Sequence, residues 1–215
     1  AIVEWMLDNR ISPTIYYYNP NIFPREEYEI RKQESKRHAE SLGIRWIDGD
    51  YNHEQWLCQV CALPYDATDE ERQHCDMARE PERGARCLEC FRLRLIATAH
   101  EALRQGITCF ATTLASSRWK SIEQINQAGM AAQQETTGTV FWSRNWRKGG
   151  LYERRNQLLR QYGFYNQQYC GCEFSLKVAN HESVIHNVNT TAIRVIRAIR
   201  VVKDYGIRVI RAIRV

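Results

Sequence analysis

The sequence predicts an α/β fold built on a parallel sheet, and three observations carry that prediction. An aromatic and β-branched run, Pro13–Tyr18, stops at the turn Asn19-Pro20-Asn21. An amphipathic stretch from Arg25 to Leu42 follows and ends at Gly43, and a second short apolar run, Ile44–Ile47, begins at once. Strand, helix and strand within roughly 35 residues is the spacing of a βαβ unit, whose crossover helix makes the two strands parallel.

The elements follow in order. Ile2–Asp8 has helical spacing ahead of the first strand. Pro13–Tyr18 reads as a strand because aromatic and β-branched side chains suit a pleated, half-buried surface, with Tyr16, Tyr17 and Tyr18 as sheet core. Arg25–Leu42 places Tyr28, Ile30, His38, Ala39 and Leu42 among charges, with Gly43 as the glycine that ends a helix. Further helices are predicted at Glu54–Val60, Leu88–Gln105, Ser121–Glu135 and Leu151–Tyr162, and further strands at Thr108–Thr113 and Val140–Trp142.

The chain has 215 residues, 44% hydrophobic and 26% charged, enough for one domain with a real core. That domain is expected to span 1–175. Beyond it, 176–215 reads as a low-complexity basic tail, in which Ala192–Val201 and Gly206–Val215 match at nine of ten positions. Its arginines recur every third residue, a period that fits neither helix nor strand, so the tail is read as a disordered or non-native extension, with a basic nucleic-acid arm as the alternative.

No run approaches the roughly 18 apolar residues of a membrane helix, and Glu4 and Asp8 interrupt the start, so a cytoplasmic location is expected. The net charge of +5 sits in the tail: residues 1–191 carry 23 basic and 24 acidic side chains. Overall charge therefore says nothing about a nucleic-acid partner.

Eight cysteines in such a chain point to metal binding or redox chemistry rather than structural disulfides, because a reducing compartment keeps thiols free. Cys87 and Cys90 form a C-x-x-C at a predicted helix start, where two thiolates can share one metal or cluster. Cys58 and Cys61 form a second C-x-x-C, so a structural zinc site of Cys58, Cys61, Cys87 and Cys90 is an open alternative, against small buried cysteines in a helix. Cys170-Gly171-Cys172 sets two thiols one residue apart, read either as a redox-active dithiol or as ligands or inert thiols. Cys75 has no partner spacing, Cys109 reads as strand core, and none of the six histidines has ligand spacing.

Five ordered motifs together resemble a known family. They are Tyr17-Tyr18-Asn19-Pro20-Asn21-Ile22 with Glu26-Glu27-Tyr28; Gly49-Asp50-Tyr51; Arg86-Cys87 through Cys90-Phe91-Arg92-Leu93-Arg94; Thr112-Thr113-Leu114 with Ser117 and Lys120; and Tyr169-Cys170-Gly171-Cys172. In order and spacing the chain resembles the epoxyqueuosine reductases of the QueH type over residues 1–175. The resemblance implies a Rossmann-like (HUP-like) single domain with C-terminal helices. It implies reduction of epoxyqueuosine in a tRNA anticodon to queuosine, with electrons from an unidentified donor.

The resemblance also implies a 4Fe-4S cluster held by Cys87 and Cys90 together with an N-terminal cysteine pair, and a redox-active pair at Cys170 and Cys172. An iron ion beside the cluster is a further expectation. The family's first strand and its Cys-Cys-x-Pro-Cys turn are expected ahead of Ala1, so the chain is expected to lack half the cluster ligands and to be inactive by itself.

Asp50, after the second strand, is a candidate metal ligand or proton donor, with a turn-capping aspartate as the alternative. Thr112, Thr113, Ser117 and Lys120 follow another strand and are candidates for phosphate or ribose binding, or simply begin a helix. Trp142–Lys148 mixes arginines and tryptophans as base-stacking surfaces do, and equally as a loop with half-buried tryptophans does. A PP-loop enzyme would show a Gly- and Ser-rich phosphate loop, and a thioredoxin-like protein would carry its C-x-x-C after the first strand; neither pattern occurs in the chain.

Overall fold

In the computed structural model, which describes residues 1–176, helix α1 (Ile2–Asp8) precedes strand β1 (Thr14–Tyr17). The predicted βαβ unit forms: α2 (Arg25–Ser41) crosses over to β2 (Arg45–Asp48), and β1 and β2 are parallel with Thr14 opposite Arg45 and Tyr17 opposite Asp48. Glu26 and Glu27 lie in the first turn of α2, where carboxylates favour the exposed N–H groups. Gly43, at φ +66°, closes the helix as predicted, and its N–H donates to the Glu40 carbonyl.

Three helices follow: α3 (His53–Cys61), α4 (Asp69–His74) and α5 (Asp76–Arg79). Asn52 caps α3 by accepting from the Gln55 N–H at 2.9 Å. Thr68 and Glu71 form a capping box that starts α4, a helix without apolar periodicity. Cys75, which has no partner spacing in the sequence, is disulfide-bonded to Cys61 across 14 residues, because the α4–α5 corner brings the two Cα atoms to 5.8 Å. A loop of that length predicts that Cys75→Ala costs about 3 kcal/mol in denaturant unfolding. Reductant should erase the difference between variant and wild type, and a cost that survives reduction would assign it to packing instead.

The largest helix, α6 (Ala85–Arg104), packs on α7 (Ile122–Glu135). Phe91, Leu95, Ala99 and Ala102 of α6 meet Ile125, Ala128 and Ala132 of α7, all buried and spaced three or four apart, as the sequence periodicity requires. Gly129 lets the Phe141 ring lie directly on α7, and a methyl group there would overlap the ring. Gly129→Ala should therefore cost about 1–3 kcal/mol in urea unfolding, as overpacking does; an unchanged midpoint would show that the ring moves aside freely.

Between these helices, β3 (Cys109–Phe110) pairs in parallel with β4 (Val140–Phe141), and a 3₁₀ turn covers Thr113–Ser116. Helices α8 (Leu151–Tyr162) and α9 (Glu173–Leu176) complete the described chain. The strands thus form two separate two-stranded parallel sheets, an α/β arrangement in which no hydrogen bond between described strands joins β1 to β3.

A cavity of about 1430 Å³ lies along both inner edges, lined by Ile15 and Tyr16 on one side and Phe110 and Ala111 on the other. Cys109, expected in the core, is exposed for that reason: its strand is two residues long and its inner edge faces open space. Tyr17 is buried as expected, whereas Tyr16 and Tyr18 are half-buried and stack on each other at 5.7 Å. The basic tail, Leu176 apart, lies outside the described residues. No helix among the described residues is long and apolar enough to cross a membrane.

Candidate active site

Cys87 and Cys90 sit on one face of the first two turns of α6, both buried and both facing the cavity. The backbone N–H of Arg83 donates to Cys87 Sγ at 3.3 Å. Burial pushes both thiols up, opposed at Cys87 by that N–H and the Lys120 ammonium and at Cys90 by Arg94.

Cys170 and Cys172 reach the same place from the other end of the chain. Gly171 turns at φ +112°, a conformation other residues rarely adopt, and the two sulphurs lie within hydrogen-bonding reach of each other. Cys172 Sγ is 3.6 Å from Ser175 Oγ. The hydrogen bond from Cys172 holds Cys170 well below the usual thiol range, against its burial and with help from Lys120. The same contact and burial push Cys172 up. Of the coupled pair, Cys170 is thus the more acidic thiol and Cys172 the one that keeps its proton longer.

Lys120 Nζ pairs with Glu82 Oε1 at 2.8 Å, and its side chain is 10% exposed. Burial works to lower its pKa, but the Cys170 thiolate and Glu82 outweigh burial and raise it. Lys120 is thus a fixed cation beside the thiol pair. Thr113, exposed, and Ser117, half-buried, line the same cavity, and Thr112 caps the 3₁₀ turn by accepting from the Leu114 N–H at 3.2 Å. Asp50 is exposed at the end of β2 and does not line the cavity.

The structure brings Cys87, Cys90, Cys170, Cys172 and Lys120 together across 85 residues of sequence. It does not assemble the zinc set. Cys61 is bonded to Cys75, and no group of three or more His, Cys, Asp or Glu side chains among the described residues is arranged to hold a metal ion. The Trp142–Lys148 segment is a half-buried loop: Arg144 lies 3.8 Å over the Trp5 ring and 5.0 Å over that of Trp146, so these aromatic faces are already occupied.

Two groups had no sequence signal. His53 bridges the Pro20 carbonyl, 2.8 Å from Nδ1, and the Glu173 carboxylate, 3.0 Å from Nε2, tying the Asn19-Pro20-Asn21 turn to α9. Arg31, with Glu27, reaches from α2 to the loop before Cys170. Both depend on partners more than 100 residues away.

The family model described as "Epoxyqueuosine reductase QueH" matches residues 1–178. The chain belongs to this family. It is an oxidoreductase family, and the similarity to its members extends over most of the chain. The chain is 38% identical over 179 residues to Epoxyqueuosine reductase QueH of Haemophilus influenzae, covering 83% of this chain and 67% of that relative. It is 40% identical to the Histophilus somni protein of the same name, over 83% and 68% of the two chains. The Thermotoga maritima protein is 35% identical over 75% of this chain and 78% of its own length.

Proposed function

We propose that this QueH-family chain reduces epoxyqueuosine in tRNA to queuosine, the last step in making that base, with Cys170 and Cys172 as its two-electron store. The observation that carries the reading is the convergence of two cysteine pairs and a buried lysine on one cavity in a member of this family. Opening the epoxide to an alkene and water takes two electrons and two protons. Oxidation of the thiolate–thiol pair to one disulfide supplies both electrons and one proton, and solvent supplies the second proton.

The Cys170 thiolate is the group poised to react, Cys172 carries the neighbouring proton, and Lys120 offers a positive charge to oxygen leaving the ring. Thr113 and Ser117 extend this wall toward ribose or phosphate. Asp50, exposed after β2 and outside the cavity lining, keeps its role as candidate metal ligand or proton donor only if bound tRNA brings the reacting group to it.

Cys87 and Cys90 fit a 4Fe-4S cluster as two of its ligands: both are free, buried, one helical turn apart and open to the cavity. Such a cluster supplies single electrons from a separate donor, and an adjacent iron would supply Lewis acidity toward the epoxide oxygen. The facing open edges of β1 and β3 support one further parallel strand between them, which would join the two sheets into a Rossmann-like domain over 1–175. A cysteine-bearing turn at the end of that strand would bring the remaining ligands.

Anaerobic purification of the protein, with iron, sulfide and zinc analysis, tests the cofactor. About four irons with matching sulfide, lost in Cys87→Ser, are expected. Stoichiometric zinc, with no change in the nucleosides of tRNA bearing epoxyqueuosine, would overturn the reading.

A further inference from the structure

The turn that carries the two thiols is held through its backbone carbonyls, and one buried side chain of α2 supplies two of those contacts. Arg31 Nη1 donates to the Cys170 carbonyl at 3.3 Å and to Gln167 Oε1 at 3.2 Å, and Nη2 donates to the Tyr169 carbonyl at 3.3 Å. Its guanidinium lies over the Tyr169 ring at 5.2 Å. Arg31 is 4% exposed and its counter-ion Glu27 is 2% exposed. Arg31 Nε donates to Glu27 Oε1 at 2.7 Å, and Glu27 Oε2 accepts from the Tyr165 hydroxyl at 2.6 Å.

On the other side, the Phe23 N–H donates to the Gly171 carbonyl at 2.8 Å, and the Ser175 hydroxyl donates to the Cys172 carbonyl at 2.8 Å. The turn has no room to shift toward α2. A Cβ on Gly171 would stand 3.0 Å from Arg31 Nη1 and 3.0 Å from Ile22 Cγ1.

We infer that Arg31 is a positioning residue for the Cys170–Cys172 pair, fixing the carbonyls of Tyr169 and Cys170 so that the two sulphurs face each other before any bond forms. The inference rests on the reading of these cysteines as the electron store. A guanidinium suits the task because its planar fork spans several acceptors at once while one edge answers Glu27; an ammonium in the same place is a point charge with fewer directed bonds. Prior alignment removes ordering entropy from ring closure, so it favours the disulfide over the dithiol. Freed from Arg31, the same turn keeps its sequence and loses that advantage.

The test is equilibration with glutathione. One glutathione disulfide takes two electrons and two protons from the Cys170 and Cys172 thiols, giving the protein disulfide and two glutathione thiols. Acid quenching, alkylation and mass spectrometry read the fraction oxidised at each glutathione ratio. Arg31→Lys retains the charge opposite Glu27, and the equilibrium constant for forming the disulfide is expected to fall about tenfold or more.

The paired variant Arg31→Met/Glu27→Gln removes the guanidinium without leaving its buried counter-ion unpaired and should shift the constant in the same direction; it decides the matter if Arg31→Lys does not fold. The Cys61–Cys75 disulfide in the same samples is the internal reference and should keep its wild-type ratio. A folded variant with the wild-type ratio at Cys170–Cys172 overturns the role of Arg31. A wild-type pair that forms no disulfide at any ratio overturns the electron-store reading instead.

Discussion

Cys170→Ser is expected to abolish turnover of epoxyqueuosine in tRNA while leaving the folded chain intact. The substitution is nearly isosteric at a half-buried position, so the cysteine-loop contacts of the backbone persist. What disappears is the thiolate, and with it the S–S bond that delivers both electrons. Removing a reacting group of this kind costs at least about a thousand-fold in rate. Cys172→Ser should cost a similar factor, because half a pair cannot close.

The pH dependence follows from the same geometry. Cys170 is held well below the usual thiol range by its hydrogen bond from Cys172, opposed by burial and helped by Lys120, so its thiolate survives to lower pH than that of an ordinary cysteine. Its reactivity should therefore extend to lower pH than that of an ordinary thiol and fall as that depressed pKa is crossed. Nucleoside analysis of digested tRNA after a single turnover checks both statements. Turnover of either serine variant within about tenfold of wild type would rule out the dithiol as the electron store.

The largest loss of stability is expected from Trp146→Ala. Trp146 is 2% exposed and stands edge-on to Trp5 at 5.8 Å and to Trp142 at 5.3 Å, with Arg144 over the cluster. Its indole N–H donates to the Thr112 carbonyl at 3.1 Å. Emptying this site removes apolar contacts on several sides and orphans a carbonyl, a cost of about 3–5 kcal/mol.

The damage should reach the cavity as well. Thr112 begins the segment that ends in Lys120, and Arg147, beside Trp146, donates to the Lys120 carbonyl at 2.7 Å. Urea unfolding followed by circular dichroism measures the loss, with Trp146→Phe retaining more stability than the alanine variant. A change below about 1 kcal/mol would mean that the cluster is a surface feature.

The βαβ unit was legible because it obeys local rules: an apolar run, a turn at Asn19-Pro20-Asn21, a helix with a glycine stop, a second run. The α6–α7 core was legible for the same reason, since its alanines and leucines recur at helical spacing. Helix α4 has no such spacing; only the Thr68-x-x-Glu71 capping box announces it, and that signal was present in the sequence. Strand β3 is shorter than Thr108–Thr113 because only Cys109 and Phe110 meet a partner strand.

The cysteine pairs were legible as pairs, because C-x-x-C and C-G-C are local patterns, and their meeting was implied by resemblance alone. Cys61–Cys75, His53–Glu173 and Arg31 with its distant carbonyls were not legible. Each is created by two segments whose separation carries no periodic or compositional trace.

Cys109 gives the molecule a built-in reporter. It is the one exposed free thiol among the described cysteines, and it stands on the unpaired inner edge of β3. A small fluorescent label attached there would sit in water while the space beside that edge is open. A strand that enters and pairs with β3 would strip the label of solvent and shift its emission, so filling of the slot could be followed in solution without perturbing the buried thiols.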